Sequence, residues 1–291
     1  MRTFDQLAQG RDNNFNLLRM IAASAVLVSH AYPLALGGSA MEPLAEVAPT
    51  NLGRLAVAVF FAVSGFFITK SFDRRQSLIR FGTDRVLRIM PGLFVVLILS
   101  VAVLGPLFTV LPSGSYWSAW ETWTYLPRNL SLYRLQWALP GVFAANPLGA
   151  VNGSLWTLSV EVDCYVMVVV VGLSSLLSTY RFAVFLVGYG GCYAALRLWS
   201  TDAHVAVLCE LSFPFVIGMA SYVYRDRVPI SFTILLSGVA LALLARGTPV
   251  YHELFVVTLS YAAFCFGGLQ WRWLRRYNLL GDYSYGPTFS K

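Results

Sequence analysis

Arg19 and His30 stand eleven positions apart in one apolar run, residues 15 to 36, that holds no other Asp, Glu, Lys, Arg or His. Ionisable groups in hydrocarbon are costly, so each is a functional candidate. On an α-helix eleven residues span about 16 Å and nearly three turns, which puts the two side chains on roughly one side, at opposite halves of the run. A neutral imidazole with an ordinary pKa near 6.5 accepts a proton at neutral pH, and burial lowers that pKa further, so His30 can serve as a general base. The alternative is a polar residue that caps the helix before Tyr32 and Pro33. Glu161 and Asp163, near the start of a later apolar run, either face water or turn inward. Turned inward, Glu161 would orient His30 or bind an acceptor hydroxyl. Arg85 and Arg88, three apart, share a helix face and could grip one phosphate-bearing ligand, since guanidinium binds phosphate in a bidentate way. Ser64 lies beside Gly65 in mid-run; without a neighbouring base or a G-x-S-x-G turn it reads equally as close helix packing or as a substrate contact.

The elements that must carry these residues are membrane spans. Of 291 residues, 57% are hydrophobic and 12% charged, about half the charge of an average soluble domain. The apolar residues gather into runs long enough to cross about 30 Å of hydrocarbon. Eight spans are expected, over about 15 to 36, 52 to 70, 89 to 110, 155 to 177, 182 to 199, 207 to 224, 230 to 246 and 251 to 270. The first is not a cleavable signal, because further spans follow at once and no small-residue cleavage site precedes a soluble stretch. The expected fold class is therefore all-α, a polytopic transmembrane helix bundle embedded in the lipid bilayer. With the N-terminus in the cytoplasm, fifteen of the 21 Lys and Arg fall inside and five outside, Lys291 being assigned to neither side. That is a positive-inside bias. It also accounts for the net charge of +7 without nucleic acid, for which no basic, aromatic-interleaved patch exists. Cys164, Cys192, Cys209 and Cys265 fall in spans with no C-x-x-C spacing, so neither a metal site nor a disulfide framework is expected.

No repeat or long linker divides the spans, so one membrane domain is expected. The longest interruption, about 111 to 154, is placed outside and is rich in aromatics, among them Tyr116, Trp117, Trp120, Trp123, Tyr125, Tyr133 and Trp137. It reads first as an interfacial belt and second as a platform for sugar rings. The inner loop from about 71 to 88 is basic, either for topology alone or as a docking surface for a phosphate-bearing cytoplasmic ligand.

Four segments in series carry a resemblance: Asn14 to Ala23 followed by His30; Phe60-Phe-Ala-Val-Ser-Gly-Phe-Phe-Ile68; Arg85-Val-Leu-Arg-Ile-Met-Pro91; and Ser154-Leu-Trp-Thr-Leu-Ser-Val-Glu161. In order and spacing they resemble the acyltransferase 3 family. That family consists of bacterial inner-membrane enzymes of about ten helices that O-acylate, most often O-acetylate, carbohydrates of the cell envelope and some secreted small molecules. The resemblance implies the same here: an O-acyltransferase of the inner membrane, multi-pass with a cytoplasmic N-terminus, which modifies a polysaccharide by O-acetylation. It implies that Arg19 and His30 match the family's essential Arg and His. It implies too that Arg85 and Arg88 match the paired Arg at the third helix, spaced here as R-x-x-R where the family has R-x-R. Acyl-CoA, acetyl-CoA foremost, would approach from the cytoplasm toward these basic groups, and His30 would activate a hydroxyl of an envelope carbohydrate on the outer side.

Near the end, Leu279-Leu-Gly-Asp-Tyr-Ser-Tyr-Gly286 resembles the opening of a late family helix, and the sequence runs only five residues further. The expectation is one acyltransferase-3-like transmembrane domain over residues 1–291, with eight complete spans and the start of a ninth. The family's last one or two helices would be missing. Two rival readings are kept. A small-solute transporter is disfavoured by the lack of inverted repeats and paired broken spans; an inactive remnant would tolerate loss of both Arg19 and His30.

Overall fold

A computed structural model of the chain describes residues 3–9, 13–37, 42–47, 50–74, 77–146 and 149–269. Its elements are α1 (Asp5–Gln9), α2 (Phe15–Leu36), α3 (Pro43–Val47), α4 (Leu52–Arg74) and α5 (Leu78–Leu99). A π-helical turn over Ser100–Leu104 and α6 (Gly105–Phe108) continue the fifth helix. Then come α7 (Ser113–Ser118), α8 (Trp120–Leu130), α9 (Leu155–Leu173), α10 (Thr179–Trp199), α11 (Ala203–Val223), α12 (Phe232–Leu244) and α13 (Tyr251–Gly267). Among the described residues six helices are long and apolar enough to cross a membrane, so the chain is a multi-pass membrane protein. Two of the eight expected spans are shorter. At 1.5 Å per residue, the 13 residues of α12 reach about 20 Å and the 17 of α13 about 25 Å. The expected start of a ninth span lies outside the described residues.

The third expected span is the one that moves. Its helix begins at Leu78 instead of about 89, so Arg85 and Arg88 sit inside a helix and not at its head. Ser77 caps it, its hydroxyl accepting the Arg80 N–H at 3.4 Å, and Phe81, Ile89, Leu93 and Leu97 are buried along it at four-residue multiples. Elsewhere Asp202 caps α11 through the N–H groups of His204 and Val205, at 2.7 and 3.3 Å.

Helix α4 lies at the centre. Its sequence is apolar on every side, as a helix surrounded by other helices requires, and residues 61 to 66 are all buried. Helices α2, α9, α11 and α13 pack around it, α11 most extensively. The α4–α11 crossing brings backbone against backbone: a Cβ on Gly65 would lie 2.0 Å from the Phe215 carbonyl oxygen, and one on Gly218 2.0 Å from that of Ala62. Gly65 therefore reads as close packing, the first of the two roles open to the Ser64–Gly65 pair. Helix α10 is peripheral, with only Phe182 and Tyr193 buried. Large apolar side chains such as Leu27, Val95, Leu99, Val187 and Leu236 point outward, as lipid-facing surfaces do.

The aromatic loop folds into α7, α8 and a following coil. Tyr116 and Tyr125 are buried there, while Trp120, Trp123, Tyr133 and Trp137 are exposed, the split expected of an interfacial belt anchored by a few inward rings. The Tyr116 hydroxyl donates to the Val101 carbonyl in the π-helical turn at 2.8 Å, one of the carbonyls such a turn leaves open to other donors. Burial pushes both phenols up from their ordinary pKa, so they stay protonated and Tyr116 keeps donating. Asn152 ties the layer together: its Nδ2 donates to Ser100 Oγ at 2.8 Å and to the Tyr125 hydroxyl at 3.0 Å. Asn152→Ala is expected to cost about 1–3 kcal/mol, read as a lower unfolding midpoint of the detergent-solubilised protein.

Candidate active site

Helix α2 runs unbroken through Pro33 to Leu36, so His30 is not a terminal cap. Its Nδ1 lies 2.8 Å from the Val26 carbonyl oxygen. A carbonyl only accepts, so Nδ1 carries the proton and the Nε2 lone pair of the neutral ring is left for another group. The residue is exposed, not buried among apolar neighbours as the sequence suggested, and it lines a cavity of about 590 Å³, in the usual range for a small-molecule site.

The cavity wall comes from one end of the bundle. The last turns of α2 meet the first turns of α4, α9, α11 and α13, which supply Arg54, Thr157, Glu210 and His252. Alternating up-and-down helices place all five ends together. Arg54 Nε and Glu210 Oε1 pair at 3.4 Å, and Trp156 adds an aromatic wall.

Arg19 lies toward the other end of α2 and is 9% exposed. Its guanidinium is 5.7 Å from the centroid of Phe67, and the Lys70 ammonium is 5.5 Å from the same ring, an arrangement in which the aromatic quadrupole favours the cations. Arg85 sits 5.6 Å from the Phe81 ring and 5.9 Å from that of Tyr165, and its Nε is buried without a hydrogen-bond partner among the described residues. Arg88, one turn on, is half-buried.

Glu161 is buried and accepts the Tyr165 hydroxyl. It turns inward, then, but it does not line the His30 cavity, and the Val26 carbonyl, not Glu161, lies against His30 Nδ1. Thr157, Glu161 and Tyr165 recur every four residues on one face of α9. They form a polar stripe from the cavity wall inward to the ring beside Arg85. The structure thus places His30 at the cavity, Glu161 with Arg85 around Tyr165, and Arg19 beside Phe67 and Lys70.

Sequence reasoning missed Glu42, Glu210 and His252 as cavity residues and read Arg54 only as an outside charge. Each stands alone near a span end, where charge is ordinary; only the meeting of helix ends makes them a group. Among the described residues no cluster of three or more His, Cys, Asp or Glu is arranged to hold a metal. Cys164 and Cys209 are buried, as small apolar fillers would be.

The multi-pass helical bundle thus carries an Arg and a His on one spanning helix, with a largely apolar cavity that holds a few polar groups at the His end. The chain belongs to the acyltransferase 3 family, whose acyltransferase domain it matches over residues 12–286. It is 32% identical over 253 residues to nodulation protein 10 of Rhizobium leguminosarum bv. viciae, covering 76% of this chain and 62% of that protein. It is 34% identical over 158 residues to an O-acetyl transferase of Shigella phage Sf6, covering 54% of this chain and 45% of that one. The chain thus spans less than two thirds of the length of these curated relatives. No solved structure matches it.

Proposed function

We propose that the protein, acting as one membrane domain, transfers an acyl group from cytoplasmic acyl-CoA to a hydroxyl of an envelope carbohydrate. The observation that carries this is the His30 ring, with Nδ1 bound and Nε2 free, on a cavity sized for a small ligand. Acetyl is the favoured acyl group, because the phage relative is named an O-acetyl transferase. The membrane would be the bacterial inner membrane with the N-terminus inside, which the positive-inside bias supports.

In this reading the acceptor hydroxyl enters the cavity and gives its proton to His30 Nε2. Its oxygen attacks the thioester carbonyl, a C–O bond forms and the C–S bond breaks. The coenzyme A thiolate leaves and takes up the proton. Arg85 and Arg88 bind donor phosphate, Arg19 supplies buried positive charge on the donor side, and Glu161 with Tyr165 lines the way between the cavity and Arg85.

Arg85→Ala is expected to raise the KM for acetyl-CoA on the order of tenfold, as loss of a charge-assisted contact does. The KM for the acceptor should stay near its original value. The function itself is tested by the O-acetyl content of envelope carbohydrate, measured by NMR in a deletion strain complemented with the wild-type gene or with His30→Ala. Acetyl groups restored by the wild type alone support the reading; none with either gene overturns it for that carbohydrate.

A further inference from the structure

Glu42 precedes α3 in the crossover between α2 and α4 and is 6% exposed. Its Oε1 accepts the backbone N–H of Leu52. Leu52 opens α4, so this N–H has no partner within its own helix, and the positive end of the helix favours the carboxylate charge. Oε2 is buried and has no hydrogen-bond partner among the described residues. The same residue lines the cavity that holds His30. Buried polar atoms are nearly always satisfied, so an orphaned carboxylate oxygen at a cavity wall is open to a donor that a ligand in the cavity brings.

We infer that Glu42 is an acceptor-binding residue: one oxygen is pinned by α4 and the other takes a hydrogen bond from a hydroxyl of a polyhydroxylated acceptor. The inference rests on the transfer reading above and adds the group that fixes the acceptor beside the base. A carboxylate accepts only, so it selects O–H and N–H donors. The other acid on the wall, Glu210, already pairs with Arg54. A sugar with neighbouring hydroxyls can give one to Glu42 while another meets His30 Nε2, and its apolar face can lie against Trp156. The acceptor class this defines is a diol or sugar, held by two hydroxyls.

Glu42→Gln separates binding from capping, because the amide keeps a carbonyl oxygen for the Leu52 N–H and turns the orphaned acceptor into a donor. Membranes containing wild type or the variant, at matched protein amounts, would receive saturating labelled acetyl-CoA. They would then be titrated with envelope carbohydrate of the expressing strain, de-O-acetylated by mild base. The expected result is a half-saturating carbohydrate concentration raised on the order of tenfold, with a maximal rate that changes far less. An unchanged half-saturation in Glu42→Gln, with Glu42→Ala only reducing the amount of folded protein, would make Glu42 a helix cap and overturn the inference while the function stands. Absence of label transfer by the wild type would overturn the function and this inference with it.

Discussion

His30→Ala is expected to lower acyl transfer by about 10²–10⁴-fold, the usual loss when a positioned general base is removed. The ring has one role in the fold, an Nδ1 contact to a carbonyl one turn back in its own helix, and it faces a cavity. Its removal breaks no link between helices, so the variant should accumulate in the membrane and unfold near the wild-type midpoint. The KM for acetyl-CoA should hold, because the candidate donor groups lie nearer the other end of the bundle. His30→Gln should be as inactive as alanine, since an amide offers no basic nitrogen at neutral pH. A fall in acetyl-CoA affinity equal to the fall in rate would instead assign His30 to donor binding.

The second large effect is on assembly. Gly65→Leu or Gly218→Leu should prevent the bundle from forming, because even the first carbon of the new side chain would meet a backbone carbonyl at 2.0 Å. Overpacking a core commonly costs about 1–3 kcal/mol where side chains can yield. Here the obstacle is the main chain of the partner helix, and α4 and α11 form the most extensive helix pair in the protein. The result should be loss of monodisperse protein after detergent extraction, with Gly188→Leu on peripheral α10 as the control, since nothing lies within 4 Å of a Cβ there. Equal yields from Gly65→Leu and Gly188→Leu would contradict the close crossing.

What the sequence made legible follows from what its hydropathy measures. Helix α2 was read to both its ends, because its apolar run has polar or small neighbours on each side and its two ionisable residues stand out within it. The start of α5 was not, because Arg80, Asp84, Arg85 and Arg88 lower the hydropathy of a segment that is nonetheless helical. The four-residue recurrence of Phe81, Ile89, Leu93 and Leu97, with Arg85 in the same register, was the available signal. Of the site, Arg19, His30, Arg85 and Glu161 could be singled out as ionisable groups in or beside apolar runs. Glu42, Arg54, Glu210 and His252 could not, since they come from four separate segments whose meeting depends on how the helix ends cluster. The contact of Glu161 with Tyr165, one turn on, is local to α9, but its burial depends on the rotation of α9 against its neighbours, which the apolar sequence leaves open.

The most direct test of the account uses sealed inside-out vesicles of membranes that contain the wild-type protein or His30→Ala, with labelled acetyl-CoA added to the exposed cytoplasmic face. The account predicts base-labile label on carbohydrate enclosed in the lumen with the wild type, and at most about a hundredth of it with His30→Ala. Equal lumenal label from both proteins would contradict it.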